Sequence, residues 1–203
     1  MEELKRKPLF NPEGDTEVEK RRMVGGNTTN LNDFNNMKYG WVSDWYRQAM
    51  NNFWVPEEIN LAQDLKDYHR LLPSERTAYD KILSFLVFLD SLQTANLPNV
   101  TEYITANEVG LCLHIQTFQE CLHSQAYSYM LDTICSPEER NDILFQWKTD
   151  EHLLRRNTFI GNCYNDFVDN RDLFLFRIHV LLQPFEKRED AGIRTGDTVH
   201  KQG

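Results

Sequence analysis

An all-α fold, an antiparallel bundle of long helices, is what this 203-residue sequence predicts, and three observations carry the prediction. Apolar residues recur at spacings of three and four through segments of more than about 20 residues. Two helix openings are well marked: Pro73-Ser74-Glu75, and Ser136-Pro137-Glu138-Glu139 with a capping serine, proline at the first helical position and glutamate three residues after the cap. Strand signals are absent, and 9 glycines and 7 prolines argue against a loop-rich architecture. Short linkers between helices of such length make sequence neighbours antiparallel.

In chain order, residues 1–37 form a polar arm. Pro8, Pro12, Gly14, Gly25-Gly26 and the asparagines between Asn27 and Asn36 predict an extended or partly disordered lead-in. Residues 38–170 carry the bundle. Its first helical pattern runs from Lys38 to Trp54, with Trp41, Trp45, Tyr46, Met50 and Trp54 expected mostly in the core. The second starts at Pro73 and should stop near residue 95, ahead of Leu97-Pro98-Asn99. Thr105 and Glu108 have the spacing of a capping box for a third helix reaching about residue 135. Ser136 opens the last, expected to continue to about residue 169. Residues 171–203 diverge: Leu173 to Phe185 is apolar without a clean period, and charge follows abruptly.

A 40% hydrophobic content with 12% aromatics is enough for one sizeable core. The formal charge of -9 gives no electrostatic reason to expect nucleic acid or an anionic membrane surface as a partner. The longest apolar stretch, Ile82 to Leu89, falls well short of the roughly 20 residues of a membrane span. Cys112, Cys121, Cys135 and Cys163 form no CxxC pair and no charged-then-apolar leader opens the chain, which together predict a reducing cytoplasm. Each thiol is expected as a small buried apolar group, with Cys121 adjoining Glu120 close to the candidate site.

The chemistry concentrates in one segment. Glu120, His123 and Tyr127 stand at offsets of three and seven, which places them within an arc of about 60° on one helix face. Asp90 closes the apolar run ILSFLVFLD on the preceding helix, where an unpaired carboxylate would be costly. Two acids and an imidazole sharing a core repel or stay neutral unless a cation holds them together. An axial offset of about 15 Å between Asp90 and Glu120 is within reach of the linker joining their helices. Hard oxygen donors with one imidazole suit iron or manganese better than a closed zinc site. A carboxylate-bridged metal pair also needs a second Glu-x-x-His set. Glu186 and Glu189 lack the following histidine, Asp197 and His200 stand behind two glycines near the terminus, and consecutive Asp150, Glu151 and His152 splay around a helix.

The runs FWVPEEINLAQDLKDY, FLVFLDSLQTANLPNV, FQECLHSQAYSYM and WKTDEHLLRRN resemble the small, radical-generating subunit (beta, or R2) of class I ribonucleotide reductase, a ferritin-like helical bundle. The similarity extends from about residue 5 to about residue 169. It implies Asp90, Glu120 and His123 as half of the ligand set of a dinuclear iron, manganese or mixed centre, Tyr127 as the radical tyrosine and Trp54 as an electron-transfer residue. It also implies a homodimer and a large (alpha) subunit that reduces ribonucleoside diphosphates to deoxyribonucleotides for DNA replication. Against the family pattern, the C-terminal helices beyond residue 170 are expected to be missing, through a shifted or interrupted reading frame rather than a second chain, and the polypeptide alone inactive. Two other readings stand beside this one: a different ferritin-like di-metal oxidase, such as an R2-like ligand-binding oxidase, or a non-enzymatic helical remnant. Tyr127 and the setting of Trp54 favour the reductase.

Overall fold

A computed structural model describes residues 4–170. Among them run six α-helices: α1 (Trp41–Asn51), α2 (Ala62–Tyr68), α3 (Pro73–Thr101), α4 (Asn107–Ile134), α5 (Pro137–Phe145) and α6 (Glu151–Asn170). Single 3-10 turns cover Val18–Lys20, Pro56–Glu58 and Gln146–Lys148. The described residues contain no strand, only the isolated bridges Asp15 to Thr28 and Val24 to Ile104. The all-helical fold is therefore the one the periodicity predicts, and no helix among the described residues is long and apolar enough to cross a membrane. The acids and histidine of the tail, Glu186, Glu189, Asp197 and His200, lie outside the described residues.

The frame is the α3–α4 pair, on which α1, α5 and α6 pack. Leu83 shares an apolar cluster with Leu131, and Leu97 shares another with Leu113, so the two helices run antiparallel. α3 passes straight through Pro98 instead of stopping before it. Proline inside a helix removes one hydrogen bond and costs about 3 kcal/mol. Leu97 and Val100 are fully buried in the larger cluster, and each such side chain returns about 1.5–3 kcal/mol. Burial outweighs the local break.

The expected capping box at Thr105 and Glu108 does not form. Ala106 is the N-cap of α4, and both side chains hold the arm instead. The Thr105 hydroxyl donates to the Arg22 carbonyl (2.7 Å) and accepts from the Gly26 amide (2.9 Å). Glu108 accepts from the Lys38 amide (3.2 Å) and faces Arg21 (3.5 Å). The arm is extended, as its composition predicts, but fastened to the start of α4. Gly14 has a steric role in it, since a Cβ there would lie 2.4 Å from the Thr29 nitrogen.

The expected last helix is divided into α5 and α6. Ser136 and Glu139 form the anticipated capping box of α5. Asp150 then accepts from the amides of His152 and Leu153 (3.0 Å each) and so caps α6, while its other oxygen pairs with Lys81 (2.6 Å). The first pattern is shorter than expected: α1 ends at Asn51, so Trp54 lies outside it. Trp45 and Tyr46 pack on the core, whereas Trp41 and Met50 face outward. α2 and the Pro56–Glu58 turn have no counterpart in the periodicity reading. Of the four thiols only Cys112 is fully buried, and Cys121 is exposed.

One corner joins α2, α3 and α5. The Tyr68 hydroxyl donates to Asp80 (2.9 Å), the Arg76 guanidinium lies 4.4 Å from the centre of the Tyr68 ring, and Arg76 pairs with Glu139 (2.5 Å). The Ser136 backbone amide first, and Arg76 with it, hold the Glu139 carboxyl at about 2, well below its ordinary value. A depressed carboxyl pKa contributes stability that is present above the unfolded value, about 4.3, and is lost as pH falls through the folded one. Thermal unfolding of a Glu139→Gln chain is therefore expected to lose less stability than the unaltered chain between about pH 4.5 and 2; equal losses would show that Glu139 carries none of this dependence.

Candidate metal centre

Asp90 is placed at the middle of α3, two helical turns from Leu83 on one side and from Leu97 on the other. Glu120 and His123 occupy the facing stretch of α4, between Leu113 and Leu131. Antiparallel pairing of the helices thus brings a polar group to the level between two apolar clusters. One ligand-type atom from each of the three residues lies within 4.8 Å of the others, and this is the one such group among the described residues. His123 Nδ1 is 3.1 Å from Glu120 Oε2 and 3.6 Å from Asp90 Oδ2. Both carboxylates are buried, while the imidazole keeps one edge towards solvent.

Tyr127 follows one turn after His123 and packs, half-buried, against the smaller apolar cluster. Burial raises its phenol above the ordinary value, and the charge of Asp90, a hydrogen bond to that carboxylate and the charge of Glu120 add to the rise. Trp54 reaches the group from outside the two helices. Its ring lies over that of His123 with centroids 6.3 Å apart and planes 27° from parallel. The neighbours of Trp54 hold it in place: Phe53 stacks on Phe118 of α4 at 6.3 Å, and Pro56 is buried. All five residues singled out from the sequence therefore meet in one place. Cys121 does not join them, because one residue of helix turns it about 100° from Glu120 and out to solvent. The Asp150-Glu151-His152 run is no metal group, with Asp150 engaged as a helix cap and as the partner of Lys81.

Sequence reasoning missed three polar neighbours. Tyr164 of α6 is buried and donates to Gln93 Oε1 (3.2 Å). Its phenol is pushed up to about 12, chiefly by burial, and the charge of Glu120 is among the causes. Gln116 is buried one turn before Glu120. The available signal was spacing: Gln93 stands three residues after Asp90, and Gln116 four before Glu120, each on the face that carries the acid.

Chemically, the group can hold a divalent cation through two carboxylate oxygens and one imidazole nitrogen. A cation would neutralise charge that burial otherwise penalises, and oxygen-rich donors of this kind suit iron or manganese.

Known proteins resemble this chain over most of its length. The family model described as "Ribonucleotide reductase, small chain" matches residues 31–185. The ribonucleoside-diphosphate reductase subunit beta of Treponema pallidum is 74% identical over 170 residues, covering 84% of this chain and 48% of that protein. The subunit of the same name from Aquifex aeolicus is 42% identical over 168 residues, 82% of this chain and 24% of that one. Among solved structures, the ribonucleotide reductase R2 subunit from Clostridium botulinum superposes with a TM-score of 0.82 at 50% identity, covering 86% of this chain and 55% of that one. The chain spans about half the length of the Treponema and Clostridium proteins. With the matched family region enclosing Asp90, Glu120 and His123, the chain belongs to the ribonucleotide reductase small-chain family.

Proposed function

We propose that the chain supplies the first half of the di-metal, radical-generating centre of a ribonucleoside-diphosphate reductase small subunit. In this reading it forms a homodimer and works with a large subunit that reduces ribonucleotides to deoxyribonucleotides. The observation that carries the reading is the convergence of Asp90, Glu120 and His123, with the Tyr127 phenol directed at the same aspartate. Residues 38–170 carry the site, and the arm before them is fastened to the start of α4; residues 171–203 lie outside the described residues, and the family match continues into them as far as residue 185. Free thiols at all four cysteines suit a cytoplasmic setting.

Asp90 and Glu120 would hold the metal through carboxylate oxygens and His123 through Nδ1, the ring atom already turned to both acids. When bound, a pair of redox-active ions, iron, manganese or one of each, supplies one-electron oxidising power drawn from dioxygen. Tyr127 is the residue that stores the oxidising equivalent. Its ring is half-buried against an apolar cluster, and its phenol oxygen is hydrogen-bonded to Asp90. Trp54 offers the aromatic path between the centre and the surface, because its indole lies against the His123 imidazole.

Two experiments test this. A ligand that binds only the folded state stabilises it by about 2.7 kcal/mol at a hundredfold excess over its Kd. Mn2+ is expected to raise the thermal midpoint of the unaltered chain and to leave His123→Ala and Glu120→Gln chains unmoved; an equal rise in the His123→Ala chain would place the site elsewhere. In the second, the chain is exposed to Fe2+ and dioxygen and followed by electron paramagnetic resonance. The isolated chain, with three donor residues for two ions, is expected to give no tyrosyl radical. A fusion of residues 1–170 to the part of the Treponema pallidum relative beyond the match is expected to give one, lost on Tyr127→Phe. A sharp signal from the isolated chain, or one that survives Tyr127→Phe in the fusion, rejects the assignment. A folded fusion that takes up neither iron nor manganese leaves only a structural role.

A further inference from the structure

Gln116 stands about 6 Å along the α4 axis from Glu120. At about 100° per residue, positions 116, 120, 123 and 127 share a single arc of about 60°. The residue is only 9% exposed, and its Oε1 is buried without a hydrogen-bond partner. An orphaned acceptor of this kind is destabilising, because its lost hydration is not replaced. The residues one turn earlier, Cys112 and Leu113, are apolar core, so a hydrocarbon side chain would suit position 116 better on packing grounds alone.

An amide oxygen needs a donor, and the side chains of the candidate site do not provide one. Ionised Glu120 and Asp90 only accept, and the Nδ1 edge of His123 is turned to those two carboxylates. A water molecule coordinated by a cation is a strong donor, because the ion draws charge from its O–H bonds. Unlike a third carboxylate, an amide accepts from it without adding negative charge to the site.

We propose that Gln116 is a positioning residue whose Oε1 accepts a hydrogen bond from a water coordinated to the ion held by Asp90, Glu120 and His123. The inference rests on the reading of that trio as metal ligands.

The test is a Mn2+ titration of the 203-residue chain and its Gln116→Met variant, with free Mn2+ counted by electron paramagnetic resonance and the metal-free thermal midpoint measured alongside. Loss of a partner outside the ligand shell weakens metal binding by about 10–100-fold in general. The variant is expected to bind Mn2+ about tenfold more weakly, while its metal-free midpoint stays level or rises, because the orphaned acceptor has gone. A purely structural glutamine predicts the opposite pair of results. Binding within twofold of the unaltered chain overturns the proposal, and so does a lowered metal-free midpoint, since weaker binding would then report damaged packing. An unaltered chain that takes up no Mn2+ removes the ligand reading and the proposal together, an outcome distinct from a binding chain that ignores the substitution.

Discussion

Two buried carboxylates and an imidazole meet halfway along the α3–α4 pair, and the rest of the structure follows from keeping that charge in register. A slip of one residue in either helix would turn its donors by about 100° and into apolar surroundings. Polar ties hold α3 to its neighbours at one end and α4 to the arm at the other. At one end Tyr68 holds Asp80, Arg76 holds Glu139, and the Trp147 amide donates to the buried hydroxyl of Ser84. At the other, Thr105 and Glu108 are fastened to the arm. Between these ties the two apolar clusters supply the burial. They also raise the cost of leaving Asp90 and Glu120 uncompensated. Such an arrangement is poor economy for a purely structural core, where hydrocarbon at both positions would pack without penalty.

What could be read from the sequence divides according to the range of the physics involved. Glu120, His123 and Tyr127 sit on one helix, so their spacing alone aligns them, and the apolar run around Asp90 marks it as enclosed. The Ser136 capping box is equally local and forms as written. Pro98 and Thr105 mislead for the opposite reason. Each carries a local stop or cap signal that tertiary contacts override, through burial of Leu97 and Val100 in one case and hydrogen bonds to a segment some eighty residues earlier in the other. The break between α5 and α6 lay within reach, since Asp150 is a strong capping residue in front of a helical pattern. Trp54 belongs to no helix, and its ring stack on His123 had no periodic signature; only family resemblance pointed to it. Gln93, Gln116 and Tyr164 escaped notice because an amide or a phenol on a helix becomes informative only once its burial is known.

Coordination arithmetic sets what this site requires. The two carboxylates can offer at most two oxygens each and the imidazole one nitrogen, five donor atoms in all, whereas a single octahedral ion takes six. Water or further side chains must complete even one ion, and a pair needs several more. The exposure is arranged accordingly: the Asp90 and Glu120 side chains are 12% and 7% exposed, but that of His123 is 42% exposed. Trp54 flanks that histidine, and close by the stacked Phe53 and Phe118 remain more exposed than an isolated core would leave them. A closed structural site would bury all its ligands equally. Here the carboxylates are sealed in by the helix pair while the imidazole keeps an open side, which gives the missing donors a way in from outside α3 and α4.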